Sequence, residues 1–192
     1  MTRLLLIDDE PHVAASLQRV LRRALGTAVR IETLSDPHAA VALVRERAFD
    51  VVVSDYRMPG MNGIELLKLV RDAQPHAVRM MLSASSEFST LMDAVNEVEV
   101  FRYLPKPWND DELVAQVRLA LERAETSRHD RELADAMRVQ VGEASVIDVE
   151  MRRLEELEPG ITRVDWGPNG EVLMPVNLPE PTAGAGLTKG GV

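Results

Sequence analysis

The sequence predicts an α/β fold with five strands in a doubly wound parallel sheet. Five short apolar runs recur through about the first 120 residues, and stretches with apolar residues at helical spacing lie between them. Three of the five runs are nearly continuous in apolar residues, which is typical of strands covered on both faces. Strands that alternate with helices in this way favour a parallel sheet with helices on both sides.

The predicted elements follow one another in a regular order. The strands are Leu4–Ile7, Val29–Ile31, Val51–Val53, Val78–Leu82 and Phe101–Leu104. The helices between them are indicated by apolar residues three or four positions apart: Val13, Leu17, Val20 and Leu21; Ala39 and Leu43; Ile64, Leu67 and Val70; Leu91 and Val95. Pro11 suits the first turn of the first helix, and Gly26 suits its C-terminal cap.

The composition limits the kinds of protein that the chain can be. With 192 residues, 45% hydrophobic and 28% charged, it fits one main domain with some additional chain. The absence of cysteine excludes disulfides, thiolate metal ligands and a thiol nucleophile. The net charge is -9, and from Ala120 onward there are fourteen acidic residues and eight basic ones, which disfavours nucleic-acid binding. The first apolar run is too short for a signal peptide or a membrane span, so we expect a cytoplasmic protein without membrane attachment.

Polar residues gather where the predicted strands end. In a parallel sheet these ends share one edge, where ligands bind, so we expect the residues to meet in one crevice. Grouped carboxylates without a histidine favour a hard cation, and magnesium fits best. Taken singly, an aspartate after a strand is more typical of a helix cap or a turn. The gathered residues are Asp8, Asp9 and Glu10 after the first strand, Asp55 after the third, Ser83 after the fourth, and Tyr103 and Lys106 at the fifth.

Four motifs span these strand ends: LLLIDDEP, DVVVSDYRMPGMNGIELL, MLSAS and FRYLPKPW. In this order and spacing, they resemble the receiver domain of bacterial two-component response regulators over roughly residues 2–121. The resemblance implies a flavodoxin-like sheet in the strand order 2-1-3-4-5. It also implies a signalling protein rather than an enzyme, with magnesium-dependent phosphorylation and dephosphorylation of its own aspartate as its only chemistry.

The resemblance further implies a role for each gathered residue. The phosphoryl donor would be a phosphohistidine on a sensor histidine kinase or a phosphotransfer protein. Attack by a carboxylate needs an ionised acid and a neutralised phosphoryl group, and magnesium with a lysine supplies both conditions. The implied roles are phosphoacceptor for Asp55; magnesium ligand for Asp9 and Asp55 and, through water, for Asp8; carbonyl ligand for Arg57; phosphoryl contacts for Ser83 and Lys106; a cis peptide at Lys106–Pro107; and aromatic switch for Tyr103.

Our hypothesis for the switch involves two of these residues. Ser83 moves towards the phosphoryl group, Tyr103 turns inward into the space that opens, and the face formed by the fifth strand and the helix before it is remodelled. Arg57 and Ser85 each lie two residues beyond a site residue, where their side chains can tune hydrolysis of the phosphoryl group.

The C-terminal third is predicted to contain the output region. We expect a receiver domain over 1–121, a helical extension over 122–158, a β-hairpin over 159–176 and a disordered tail over 177–192. The extension has a heptad seam, which favours a coiled-coil homodimer, although a helix that packs back on its own receiver explains the pattern equally well. The seam is imperfect because Gln140 is polar and because Gly142 disfavours a helix. Its members are Leu133, Met137, Gln140, Ala144, Ile147, Met151 and Leu154.

The predicted hairpin turns at the Asn169–Gly170 pair. Two strands alone are marginally stable in water, so we expect their apolar side chains to pack on a partner subunit or on another protein. These side chains are Ile161, Val164, Trp166, Val172 and Leu173.

Three functions are compatible with this organisation. The leading one is a phosphorylation-activated response regulator that signals through dimerisation or protein contacts of its C-terminal extension. The second is a DNA-binding transcriptional regulator with a reduced output domain, which the acidic extension disfavours. The third is a phosphate sink or relay without an output of its own. A downstream protein target is not identified by any motif.

Overall fold

The computed structural model describes residues 2–84, 98–159 and 161, together with the backbone of 165–166 and 172–173. The chain divides into two compact units, 1–162 and 163–192. The described part of the first unit contains a five-stranded sheet with helices, and that of the second contains a pair of short strands.

The sheet of the first unit confirms the predicted fold class. All neighbouring strands are parallel, and their order is β2-β1-β3-β4-β5. The central strand β3 has all five of its residues buried, including Ser54 and Asp55 at its carboxyl end. The strands are β1 (Thr2–Ile7), β2 (Val29–Leu34), β3 (Val51–Asp55), β4 (Val78–Ala84) and β5 (Arg102–Lys106).

Among the described residues, three helices connect these strands, and local sequence signals define where each begins. The helices are α1 (Pro11–Leu25), α2 (Pro37–Glu46) and α3 (Gly63–Ala73). Pro11 and Pro37 occupy first-turn positions that need no amide hydrogen, and α3 begins at a reciprocal capping box between Asn62 and Glu65. The helix predicted around Leu91 and Val95 lies outside the described residues.

Two apolar cores lie on opposite faces of the sheet. Because side chains alternate between the faces along a strand, each continuous apolar run supplies both cores. Leu4 and Leu82 belong to the core covered by α1, whereas Leu5 and Met81 belong to the core covered by α2 and α3. Packing on both faces leaves the carboxyl edge of the sheet as the place where the polar strand ends come together.

After β5 the part of the chain that the structure describes forms two helices, α4 (Asp110–Gln140) and α5 (Val146–Leu157). The charged window at 122–132 is helical, as predicted. The residues of the predicted heptad seam do not lie on one uninterrupted helix, because α4 ends before Gly142, which has a φ of 77°. Ser145 then starts α5 through a reciprocal capping box with Asp148. The bend divides the predicted seam between two helices.

The two C-terminal helices contact the amino edge of the sheet, opposite the crevice. Arg128 Nη1 donates to Asp50 Oδ1 at 2.7 Å, directly before β3. The carbonyl of Leu157, at the end of α5, accepts from the amide of Ala48 at 3.4 Å. Packing back on the receiver, one of the two interpretations of the seam, is therefore present in these contacts, while homodimerisation stays a prediction.

In the second unit, β6 (Asp165–Trp166) and β7 (Val172–Leu173) pair antiparallel. This pairing agrees with the two predicted hairpin strands, and the Asn169–Gly170 turn between them lies outside the described residues. Among the described helices, none is both long enough and apolar enough to cross a membrane.

Candidate functional site

Three carboxylates meet at the carboxyl edge of the sheet. Asp8 and Asp9 follow β1, and Asp55 is the last residue of the neighbouring strand β3. One oxygen of each lies within 4.8 Å of the others. Asp8 is fully buried and Asp55 is 5% exposed, whereas Asp9 is more accessible. The adjacent parallel strands therefore produce the acidic cluster that the sequence predicts.

Lys106, the last residue of β5, reaches across the edge to this cluster. Its ammonium nitrogen lies 2.7 Å from Asp8 Oδ2 and 2.5 Å from Asp55 Oδ1. The lysine side chain is only 19% exposed, so water screens these contacts less than it would on the surface. The peptide bond that follows, between Lys106 and Pro107, is cis as predicted.

Burial and charge act in opposite directions on these groups. Burial raises the pKa of Asp55, the hydrogen bond and charge of Lys106 lower it, and the neighbouring charge of Asp8 raises it; the net direction is upward. Burial alone would lower the pKa of Lys106, but its hydrogen bonds to Asp55 and Asp8 outweigh that effect and the pKa is raised. The lysine is therefore held in its cationic form beside the two acids.

The turn after β3 shapes the side of the crevice next to Asp55. The amide of Arg57 donates to Asp55 Oδ2 at 3.0 Å. The amide of Gly63 donates to the carbonyl of Tyr56 at 2.8 Å, which brings the start of α3 against the end of β3. A Cβ atom on Gly63 would lie 2.2 Å from the carbonyl oxygen of Asp55, so only glycine fits this approach.

An open cavity of about 460 Å³ adjoins the acidic cluster. It offers space for a ligand beside the exposed side of the carboxylates. Its lining residues are Asp9, Tyr56, Arg57, Met58, Pro59 and Asn62.

The predicted hydroxyl and aromatic residues lie on the neighbouring strands. Ser83 is 6% exposed and follows Leu82, the register partner of Asp55 on β4. Tyr103 on β5 is partly buried against the core that contains Met81, and its hydroxyl has no hydrogen-bond partner among the described residues. Burial raises the pKa of Tyr103. The ring already occupies a partly inward position in this structure.

The structure thus brings the acids, the lysine and the hydroxyl residue to one edge, as their sequence positions indicate. Ser85, predicted to tune hydrolysis, lies outside the described residues. Sequence reasoning missed Gly63 as a site residue and Met58 and Asn62 as cavity lining. The glycine before an apolar helical pattern was the available signal for Gly63, but its contact with the backbone of Asp55 depends on tertiary structure.

The donor set fits a magnesium ion. Three carboxylates provide hard oxygen ligands at short mutual distances, with no histidine among them. A divalent cation would also offset the mutual repulsion that contributes to the raised pKa of Asp55. Asp8, Asp9 and Asp55 are the side chains suited to hold it.

Comparisons with known proteins show the family to which this chain is similar. Residues 4–118 match the family described as response regulator receiver domain. The chain is 37% identical over 119 residues to the hydrogenase transcriptional regulatory protein HoxA of Cupriavidus necator, covering 62% of this chain and 24% of that protein. It is 32% identical over 128 residues to the DNA-binding transcriptional regulator NtrC of Salmonella typhimurium, covering 66% and 26%. The chain therefore spans about a quarter of the length of these two curated relatives.

Solved structures also align with this chain. A structure of adenylate cyclase from Rhodopirellula baltica aligns with a TM-score of 0.64 and 30% identity, covering 70% of this chain and 98% of that one. The signal receiver domain of an HD domain-containing protein from Pseudomonas fluorescens Pf-5 aligns with a TM-score of 0.61 and 30% identity, covering 67% and 92%. Both alignments extend over about two thirds of this chain.

Proposed function

This chain belongs to the response regulator receiver domain family, and we propose that Asp55 is the residue on which it receives a phosphoryl group. The observation that supports this proposal best is the placement of Asp55. It is a buried carboxylate at the end of the central strand, held between the ammonium of Lys106 and the amide of Arg57, with Asp8 beside it.

The chemistry we propose is nucleophilic attack by an Asp55 oxygen on the phosphorus of a phosphohistidine. A phosphorus–oxygen bond forms, the phosphorus–nitrogen bond breaks, and the imidazole nitrogen leaves with the bonding pair. Lys106 favours the ionised carboxylate before the attack and pairs with the phosphoryl oxygens afterwards. Asp8, Asp9, Asp55 and the carbonyl of Arg57 would hold a magnesium ion, which would supply positive charge against the phosphoryl oxygens. The donor is a sensor histidine kinase or a phosphotransfer protein.

We further propose that Ser83 and Tyr103 transmit the change at Asp55. Ser83 is buried one residue beyond the register partner of Asp55, within the edge where a phosphoryl group would sit. Tyr103 lies on the adjacent strand with its hydroxyl buried, so a small movement of β4 changes the space available to the ring. A phosphoryl group that draws Ser83 towards Asp55 would then alter the exposed side of β5.

The proposed output is a protein contact or a homodimer made by the C-terminal helices, in a protein that acts in the cytoplasm. Apolar side chains on both helices are exposed, as expected for surfaces that bind another protein. The printed names of the relatives describe transcriptional regulators, so DNA binding is the second candidate. The described part of the extension is a pair of acidic helices, which would repel a phosphate backbone.

Trp108 provides a probe of the metal part of this proposal. It lies two residues after Lys106 and packs against the core next to β4 and β5. In a Trp166→Phe background, which removes the other tryptophan, we expect magnesium to change the fluorescence of Trp108. Asp9→Asn should weaken the magnesium affinity on the order of 10–100-fold. Asp72→Asn, an exposed acid on α3, is the control and should leave it unchanged. An unaltered affinity in Asp9→Asn would contradict the assigned metal site.

A further inference from the structure

The helix α5 has an apolar stripe on its outer side. Ile147, Met151 and Leu154 follow steps of four and three, so they share one face of the helix. They are 71%, 50% and 40% exposed, and α5 has no buried residue at all. Exposed apolar side chains at this spacing are typical of a helix surface that binds another protein.

The contacts of α5 with α4 lie on the other side of α5. Arg152 Nη1 donates to Asp135 Oδ1 of α4 at 3.0 Å, and Glu156 lies 3.9 Å from Arg131 of α4. On a helical wheel with 100° per residue, Arg152 is turned away from the centre of the stripe by roughly 130° and Glu156 by roughly 170°. The pair of helices is therefore joined by charged groups, and the apolar stripe of α5 faces away from α4.

Acidic residues border this stripe. Between 146 and 158 the sequence has five acidic residues and two arginines, and one of the arginines, Arg152, is bonded to Asp135. Asp148 and Glu155 lie on one border of the stripe, Glu150 lies on the other, and Glu158 lies at its end. Glu155 is partly exposed, and the other three are exposed. The surface thus combines a narrow apolar centre with a negative rim.

We propose that this surface, the α5 stripe with its acidic rim, binds a cationic amphipathic helix of a partner protein. Apolar side chains at i, i+3 and i+4 on the partner would cover Ile147, Met151 and Leu154, and flanking lysines or arginines would pair with the rim. A second copy of this chain fits less well, since it would bring the same acids against the rim and like charges repel. The proposal rests on the proposed function only in assigning the output to the C-terminal helices.

The test uses the full chain and two synthetic helical peptides with identical leucine spacing, one flanked by lysines and the other by glutamates. Fluorescence anisotropy should show that the wild-type chain binds the lysine peptide at least roughly tenfold more tightly than the glutamate peptide. Met151→Ser should weaken binding of the lysine peptide by roughly tenfold, because the apolar contact is lost.

Two double charge reversals distinguish the effect of this surface from the effect of the net charge of the chain. Glu150→Lys with Glu158→Lys should reverse the preference in favour of the glutamate peptide. Glu122→Lys with Glu125→Lys changes the net charge by the same amount at exposed positions of α4 and should retain the original preference. Circular dichroism should show unchanged helicity in both double variants.

Two results would overturn the proposal. Equal effects of the two double variants would mean that the peptide responds only to net charge. A wild-type dimer in sedimentation velocity that Met151→Ser dissociates would mean that a second copy covers the stripe. Beryllofluoride with magnesium tests the proposed function separately: if it leaves peptide affinity unchanged while the charge reversals act as expected, the surface is supported and its control by Asp55 is not.

Discussion

The receiver part of this chain buries its apolar side chains, whereas the C-terminal helices leave many of theirs exposed. In the receiver, the strands have helices on both faces, and residues such as Leu66 and Leu82 are completely buried. In α4 the buried residues stop at Ala124, and α5 has none. Leu133 and Met137, which continue the apolar pattern of α4, are 52% and 68% exposed. The receiver has a core of its own, whereas the helices beyond it have apolar surface available to a partner.

The largest expected effect comes from shortening a core side chain. Leu82→Ala on β4 should lower the free energy of unfolding by about 2–5 kcal/mol, because it leaves a cavity in the sheet core. Leu133→Ala on α4 removes the same atoms from an exposed position and should change it by less than about 0.5 kcal/mol. Urea denaturation of the two variants measures the contrast. Equal losses would show that α4 beyond Ala124 is packed as tightly as the sheet.

A smaller loss is expected at the close approach between α3 and β3. Gly63→Ala places a Cβ atom against the carbonyl oxygen of Asp55, so the start of α3 must shift. We expect a loss of about 1–3 kcal/mol in unfolding free energy and a weakened magnesium site. Gly142→Ala, whose Cβ would meet no atom within 4 Å, is the comparison for the effect of backbone strain alone, since that glycine has a positive φ. Normal magnesium affinity in Gly63→Ala would show that the magnesium site does not depend on this contact.

The cap of α5 is expected to matter mainly to α5 itself. Ser145→Ala removes the side-chain acceptor of the Asp148 amide and should destabilise the helix by about 1 kcal/mol. Because α5 contributes no residue to either core, the global unfolding midpoint should change little. Hydrogen exchange should show faster exchange within 146–157 and unchanged rates in the sheet strands. Faster exchange throughout the sheet would mean that the two regions unfold together.

The smallest effect is expected at the contact that joins the two regions. Arg128→Gln removes the ion pair between Arg128 and Asp50, whose respective side chains are 41% and 20% exposed. It should lower the free energy of unfolding by about 0.2–1 kcal/mol. The matched change Arg123→Gln removes the same charge from an exposed position five residues earlier on α4. We expect only Arg128→Gln to speed proteolysis of the C-terminal helices, as followed by limited digestion. Equal digestion of both variants would show that the ion pair does not hold α4 in place.

These two regions also differ in how well the sequence predicts them. The fold and the crevice followed from apolar runs and from polar residues at their ends, since parallel strands bring Asp8, Asp55 and Lys106 to one edge wherever the helices lie. The proximity of Gly63 to Asp55 depends on how α3 returns to the sheet, which no local pattern specifies. The inward position of Tyr103 depends likewise on packing.

In the extension, heptad spacing was followed across a break that the sequence does mark. Gly142 costs a helix about 1 kcal/mol, and Ser145 stands three residues before an acid, as in a capping box. Apolar spacing alone does not distinguish one long helix from two, because both place Leu133 and Met137 on one side of the helix. Local capping signals decide where the helix ends.

The most direct test of the proposed phosphorylation site is incubation with a small-molecule phosphoryl donor and magnesium, followed by mass spectrometry. We expect one phosphoryl group per chain, located on Asp55, absent without magnesium and absent in Asp55→Asn, with Asp50→Asn as the control at the other end of β3. A phosphoryl group that persists in Asp55→Asn, or that maps to a residue outside the crevice, would contradict the assignment of Asp55.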